Sequence, residues 1–242
     1  MSMSLTPDET CIAYLLQHNH HHHHEHDVPG SSSPSSDKEV VKIRNINSGK
    51  EMTLSTAELL SSNSVVSLEW GPAIVRQHKD AEVPSPLDQQ QDHQQHHTHS
   101  YQSLYFVLAD TQGRPNRVVA CMIDPSSLTI VPSQKGNQQP ILVYQNDNPA
   151  VFVDVQRTKG CHYVAIRVMH SKSSNEIYLC NAPSQPLVLV KPRQEGVLYH
   201  LDVGVNQDIV MLLSEETNNE GNYVLQEYTI NDINDNNDKS NN

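Results

Sequence analysis

Apart from its polar tracts, the chain carries apolar residues at every second position, in short runs rich in Val, Ile, Leu and Tyr. A period of two sends successive side chains to opposite faces, the mark of a strand and not of a helix. The pattern predicts strands at residues 11–16, 40–46, 65–70, 104–108, 118–123, 142–144, 151–155, 163–168, 176–180, 187–190, 198–203, 209–213 and 223–229. Turn chemistry separates them: Asn47-Ser48-Gly49, Gln112-Gly113-Arg114-Pro115, Asp147-Asn148-Pro149 and Asn219-Glu220-Gly221. No amphipathic helix is predicted beyond one or two turns at 55–60. The fold class is all-β.

The predicted strands group in fours. One group spans 142–190, with members near Phe152, Ala165, Tyr178 and Val188. A looser one spans 65–131, and fragments of two more lie before and after. Repeated four-stranded antiparallel meanders are the plan of a β-propeller, here a partial one of about three to four blades. Periodicity alone leaves a sandwich open as well.

Composition changes the picture at three places. Residues 18–37 are a histidine run followed by Ser and Pro, 81–100 are dominated by Gln, His and Asp, and 231–242 are Asn and Asp. Such segments bury too little apolar surface to offset their ordering entropy, so they are expected to be disordered insertions and a disordered tail on a domain covering 1–230. Over the 242 residues the net charge is −12, which repels phosphate backbones and argues against nucleic acid as partner. The apolar runs at 118–123 and 209–213 are too short to cross a bilayer, which argues against a membrane. Asp8 and Glu9 at the N-terminus do not fit a leader peptide. Four cysteines (Cys11, Cys121, Cys161, Cys180) form no CxxC pair, so reduced thiols and a cytoplasmic location are expected.

Catalytic chemistry is missing from the string. No G-x-S-x-G nucleophile elbow occurs; the nearest cluster, Gly30-Ser31-Ser32-Ser33-Pro34, belongs to a linker. His162, His170 and His200 fall in or beside strands without a serine elbow to serve. The histidine tract would bind transition metals in vitro but lacks the fixed geometry of a dedicated site. No catalytic, cofactor-binding or metal residue is therefore expected, and no cofactor. Glu176, Glu195 and Asp202 are carboxylates suited to attracting basic peptides if they face a tunnel; their direction is left open.

Several stretches in order resemble the prolyl oligopeptidase family of serine peptidases, and within it the oligopeptidase B type. Pro7-Asp8 followed by Ala13-Tyr14 is similar to the opening of a blade in that family. Val41-Lys42-Ile43-Arg44-Asn45 through Gly49-Lys50 resembles its strand-and-hairpin, with Asn and Ser in place of Asp and Thr. Val65-Val66-Ser67-Leu68-Glu69-Trp70-Gly71, Leu104-Tyr105-Phe106 and Arg114-Pro115-Asn116-Arg117-Val118 follow. Then come Leu142-Val143-Tyr144-Gln145-Asn146-Asp147, Phe152-Val153-Asp154-Val155, Ser173-Ser174-Asn175-Glu176-Ile177 and Pro192-Arg193-Gln194-Glu195-Gly196-Val197-Leu198-Tyr199. No single piece is specific; their order and spacing are. The resemblance implies a propeller that gates an α/β-hydrolase domain, admits short peptides, and serves cleavage after Arg or Lys. It also implies that the Ser-Asp-His triad lies on that C-terminal hydrolase domain, which would begin beyond Asn242. The chain would then be the non-catalytic portion of such an enzyme, with the hydrolase domain and short peptides as partners. A stand-alone protein-binding module is the alternative.

Overall fold

The computed structural model describes residues 2–16, 40–55, 64–77, 98–132, 140–204, 209–216, 223–230 and 233. They form four antiparallel sheets, taken in chain order. The first holds β1 (Met3–Leu5), β2 (Cys11–Leu16), β3 (Val40–Asn45) and β4 (Glu51–Ser55). The second holds β5 (Val65–Gln77), β6 (Thr98–Ala109), β7 (Pro115–Asp124) and β8 (Thr129–Ile130), with β9 (Ile141–Gln145) also paired to β7. The third is β10 (Phe152–Arg157), β11 (Val164–Ser171), β12 (Ser174–Cys180) and β13 (Val188–Lys191). The fourth is β14 (Val197–Val203), β15 (Ile209–Glu216) and β16 (Tyr223–Thr229).

Local chemistry accounts for the reversals. Between β6 and β7, the Asp110 carboxylate accepts from the backbone N–H of Gln112 at 2.8 Å and of Arg114 at 3.0 Å. Gly113 there adopts φ +77°, a conformation that L side chains rarely enter. In β5, a Cβ on Gly71 would lie 2.4 Å from the Tyr105 ring and 2.5 Å from the Ser103 hydroxyl, so only glycine lets β5 approach β6 here. The register of this pair shifts between Trp70 and Ala73, next to that glycine.

Each sheet packs face to face on the next, giving three cores in a row. Cys11, Ala13 and Ile43 of the first sheet meet Trp70, Leu104, Phe106 and Ile123 of the second. Tyr105, Val107, Val118 and Ala120, on the opposite face of that second sheet, meet Val153, Ile166 and Val168 of the third. Ile177, Leu179 and Val190 then meet Tyr199, Val210 and Leu212 of the fourth. The middle sheets are thus buried on both faces, which is why β6 and β7 carry near-continuous apolar runs. The outer sheets are not: β2 alternates buried and half-buried, and β16 is exposed along nearly all its length.

Side chains lock the sheets together. The Trp70 indole N–H donates to the Ser4 carbonyl at 3.1 Å, and Arg157 donates to the Leu5 carbonyl at 2.6 Å. Asn175, 1% exposed, donates through Nδ2 to the Tyr199 carbonyl at 2.9 Å and accepts from the Tyr199 N–H at 2.7 Å. Its amide mimics a strand partner and ties β14 to the third sheet.

This is an all-β partial propeller whose row of sheets does not close into a ring. Several sequence expectations need correction. Residues 142–144 do not open the third sheet; as β9 they pair with β7 in the second, because the edge of β7 beyond the two-residue β8 is left for another strand. The short strands β1, β4 and β8 were not predicted. Thr98–Ser100, assigned by composition to the polar insertion, begin β6 opposite Val75–Gln77. Ile233, assigned to the tail, is 4% exposed within the third core. The rest of the tracts 18–37, 81–100 and 231–242 lies outside the described residues. So does the helical turn at 55–60, save Ser55, which ends β4.

Candidate functional site

The three strand histidines are held separately. His170 falls where the β11–β12 register shifts, between Met169 and Ser171, two residues beyond Val168, which pairs with Glu176. Its Nε2 lies 3.3 Å from Glu176 Oε1, off the direction of a hydrogen bond. Glu176 also accepts from the Tyr178 hydroxyl at 3.1 Å. The Tyr178 ring stacks at 5.5 Å on Tyr144 of β9, whose hydroxyl accepts from Asn146 at 3.2 Å. Burial pushes both phenols up, and the nearby Glu176 carboxylate adds to this. Protonated phenols donate hydrogen bonds, and the Tyr144–Tyr178 ring contact binds β9 to the third sheet. Its signal in the sequence was the Glu176/Tyr178 spacing, two residues apart on one strand face. That it recruits Tyr144 is a tertiary fact.

His200 sits exposed on β14, 3.4 Å from Glu215 on β15. His162 lies in the turn before β11, clear of both. Each carboxylate considered from the sequence is engaged by a neighbour. Glu195 pairs with Arg193 at 3.1 Å, while Asp202 accepts from the Lys159 backbone N–H at 3.0 Å and lies 3.3 Å from its ammonium.

Two concavities flank the fourth sheet. One, of about 210 Å³, lies between Gln156, Arg167, Ile177, Tyr199 and His200; it is below the size of ordinary ligand sites. Arg167 at its lining is paired with Asp154 at 2.9 Å. The other is an open groove of about 540 Å³ along Lys191, Arg193, Tyr199, Ser214 and Gln226. Both cations of the groove are engaged, Lys191 at 4.8 Å from the Tyr228 ring and Arg193 with Glu195. Among the described residues no group of three or more His, Cys, Asp or Glu is placed to hold a metal ion. Cys121 and Cys180 are buried thiols, pushed up by burial to about 12 and about 11, and are poor nucleophiles.

No helix among the described residues is long and apolar enough to cross a membrane. No family model matches the chain, and no curated protein matches it significantly. Solved structures do. Oligopeptidase B from Leishmania major superposes with a TM-score of 0.53 at 16% identity, covering 97% of this chain and 25% of that one. A prolyl endopeptidase superposes with a TM-score of 0.50 at 10% identity, covering 96% of this chain and 27% of that one. The chain spans about a quarter of the length of these enzymes. Over nearly its whole length, then, this chain of successive antiparallel sheets has a fold similar to part of oligopeptidase B and of a prolyl endopeptidase, as a partial β-propeller.

Proposed function

We propose that the chain is the non-catalytic, access-gating portion of an oligopeptidase-B-like serine peptidase. In this reading residues 1–230 form one partial propeller domain. Its partner is an α/β-hydrolase domain bearing the Ser-Asp-His triad, the substrates are short peptides cut after Arg or Lys, and the location is cytoplasmic. The observation that carries the reading is the series of four sheets stacked in chain order, similar to oligopeptidase B across 97% of this chain. The lack of a nucleophile elbow in all 242 residues agrees with a gating role, because a gate multiplies a rate and cannot create one.

The test has two parts. The purified chain is incubated with short Arg and Lys substrates and with a fluorophosphonate probe; neither hydrolysis nor labelling is expected. It is then added to a separately produced oligopeptidase B hydrolase domain. Cleavage of long peptides should fall while cleavage of short ones persists. Labelling of the chain alone, or equal effects on long and short peptides, would sink the reading. A second reading, a stand-alone protein-binding module, is favoured by the exposed Tyr223, Val224 and Leu225 on β16. It predicts no effect on the hydrolase domain at all.

A further inference from the structure

We propose that Arg157 is a strap that crosses the inner edge of the second sheet and fixes how far the first and third sheets swing apart. The inference does not rest on the peptidase reading.

The first strands of these three sheets gather along one line. β5 touches β1 and β2 of the first sheet and β10 of the third. The first core lies on one face of the second sheet and the second core on the other, so β1 and β10 flank β5 from opposite faces. Sheets that meet along their first strands move apart by rotating about that line, a hinge motion. A bond from the third sheet to the first, passing the edge of β5, opposes that rotation.

Two turns of the same build bring the strap to its acceptor. In the β1–β2 turn the Thr6 N–H donates to the Cys11 carbonyl at 2.9 Å and the Cys11 N–H to the Thr6 hydroxyl at 2.9 Å, with Glu9 at φ +58°. In the β10–β11 turn the Thr158 N–H donates to the Tyr163 carbonyl at 3.1 Å and the Tyr163 N–H to the Thr158 hydroxyl at 3.4 Å, with Cys161 at φ +58°. Both threonines are buried. Leu5 and Arg157 each precede that threonine, so they hold the same place in the first and third sheets. Arg157 Nη1 donates to the Leu5 carbonyl at 2.6 Å, joining two sheets that are not neighbours in the row. Leu5 follows Ser4, which holds Trp70 of β5 through its hydroxyl at 3.2 Å and its carbonyl at 3.1 Å. The strap thus reaches the point where the first sheet grips the second. Arg157 is half-buried, and among the described residues no carboxylate forms an ion pair with it. Its guanidinium charge strengthens the bond to the Leu5 carbonyl, and without that bond β1 and β10 are joined through β5.

A distance measured across the row in the full chain reads the strap directly. Nitroxide labels are placed at Lys50→Cys, between β3 and β4, and at Ser184→Cys, between β12 and β13, both exposed positions. Cys161→Ser removes the accessible native thiol, and the other cysteines are buried. Electron–electron double resonance should give a narrow distribution in this parent. Arg157→Gln should raise the population at longer distances roughly tenfold or more, the weight of one hydrogen bond from a charged group. Arg167→Gln, which breaks an ion pair with Asp154 inside the third sheet, should leave the distribution unchanged. Circular dichroism checks that the variants remain folded; if Arg157→Gln does not, Arg157→Lys, which keeps the charge and loses the fork, is measured in its place. A distribution unchanged by the loss of Arg157 overturns the proposal. So does equal broadening by Arg167→Gln, which would mean a general loosening of the third sheet and not the release of a strap.

Discussion

Asn175 carries the sharpest stability prediction. Its side chain is 1% exposed and satisfies both backbone groups of Tyr199, itself 4% exposed, at 2.9 and 2.7 Å. Asn175→Ala removes donor and acceptor together and strands a buried C=O and a buried N–H. Each unsatisfied group costs roughly 1–3 kcal/mol, so the pair costs about 4 kcal/mol. That is a large share of the roughly 5–15 kcal/mol that holds an ordinary domain folded. Urea unfolding followed by circular dichroism would show it as a midpoint lowered by about 2 M, for a slope near 2 kcal/mol per M. Lys172→Ala, at an exposed side chain three residues earlier, should change stability by less than about 0.5 kcal/mol and serves as the control. Hydrogen exchange at the Tyr199 amide should also accelerate in Asn175→Ala. A loss below about 1 kcal/mol would refute the reasoning, since it would mean that water reaches the Tyr199 groups and the amide is not what joins the third and fourth sheets.

Trp70→Phe should destabilise by about 2–3 kcal/mol, from lost volume in the first core and the lost bond to the Ser4 carbonyl; thermal unfolding measures it, and a change under 1 kcal/mol would contradict the packing. A thiol reagent at about pH 8 should find Cys161 promptly and Cys11, Cys121 and Cys180 only after denaturation, because burial raises those three and shields them. Burial alone would raise Asp124, but hydrogen bonds from Ser126 and Ser127 outweigh it and leave the carboxyl below its ordinary 3.8. A depressed folded value stabilises at pH above the ordinary value and is lost as pH falls through the folded one. The stability difference between wild type and Asp124→Asn should therefore shrink on acidification from about pH 5 to about pH 2, as followed by thermal melts; a constant difference would refute it.

What the sequence determined by itself is the local pattern. Period-two alternation placed β2 to within the residue, and the apolar runs at 104–108 and 118–123 marked strands, whose burial on both faces only the packing shows. Gly113 and Pro115 spelled the β6–β7 reversal, since turn chemistry acts over four or five residues. That no G-x-S-x-G string occurs is legible for the same reason, since a nucleophile elbow is a local string. Tertiary structure decided the rest. β9 has the same alternation whichever sheet it joins, and only the free edge of β7 assigns it to the second. β1 and β8 are too short to show a period and exist because a neighbouring strand offers hydrogen bonds. Asn175 reads as an ordinary polar residue until β14 arrives beside it, and His170 meets Glu176 only because β12 pairs with β11. Ile233, in a sequence of Asn and Asp, is drawn into the third core because burying a branched apolar side chain is favourable. Strand identity is a property of neighbours along the chain; partner, face and edge are properties of contacts between residues far apart in it.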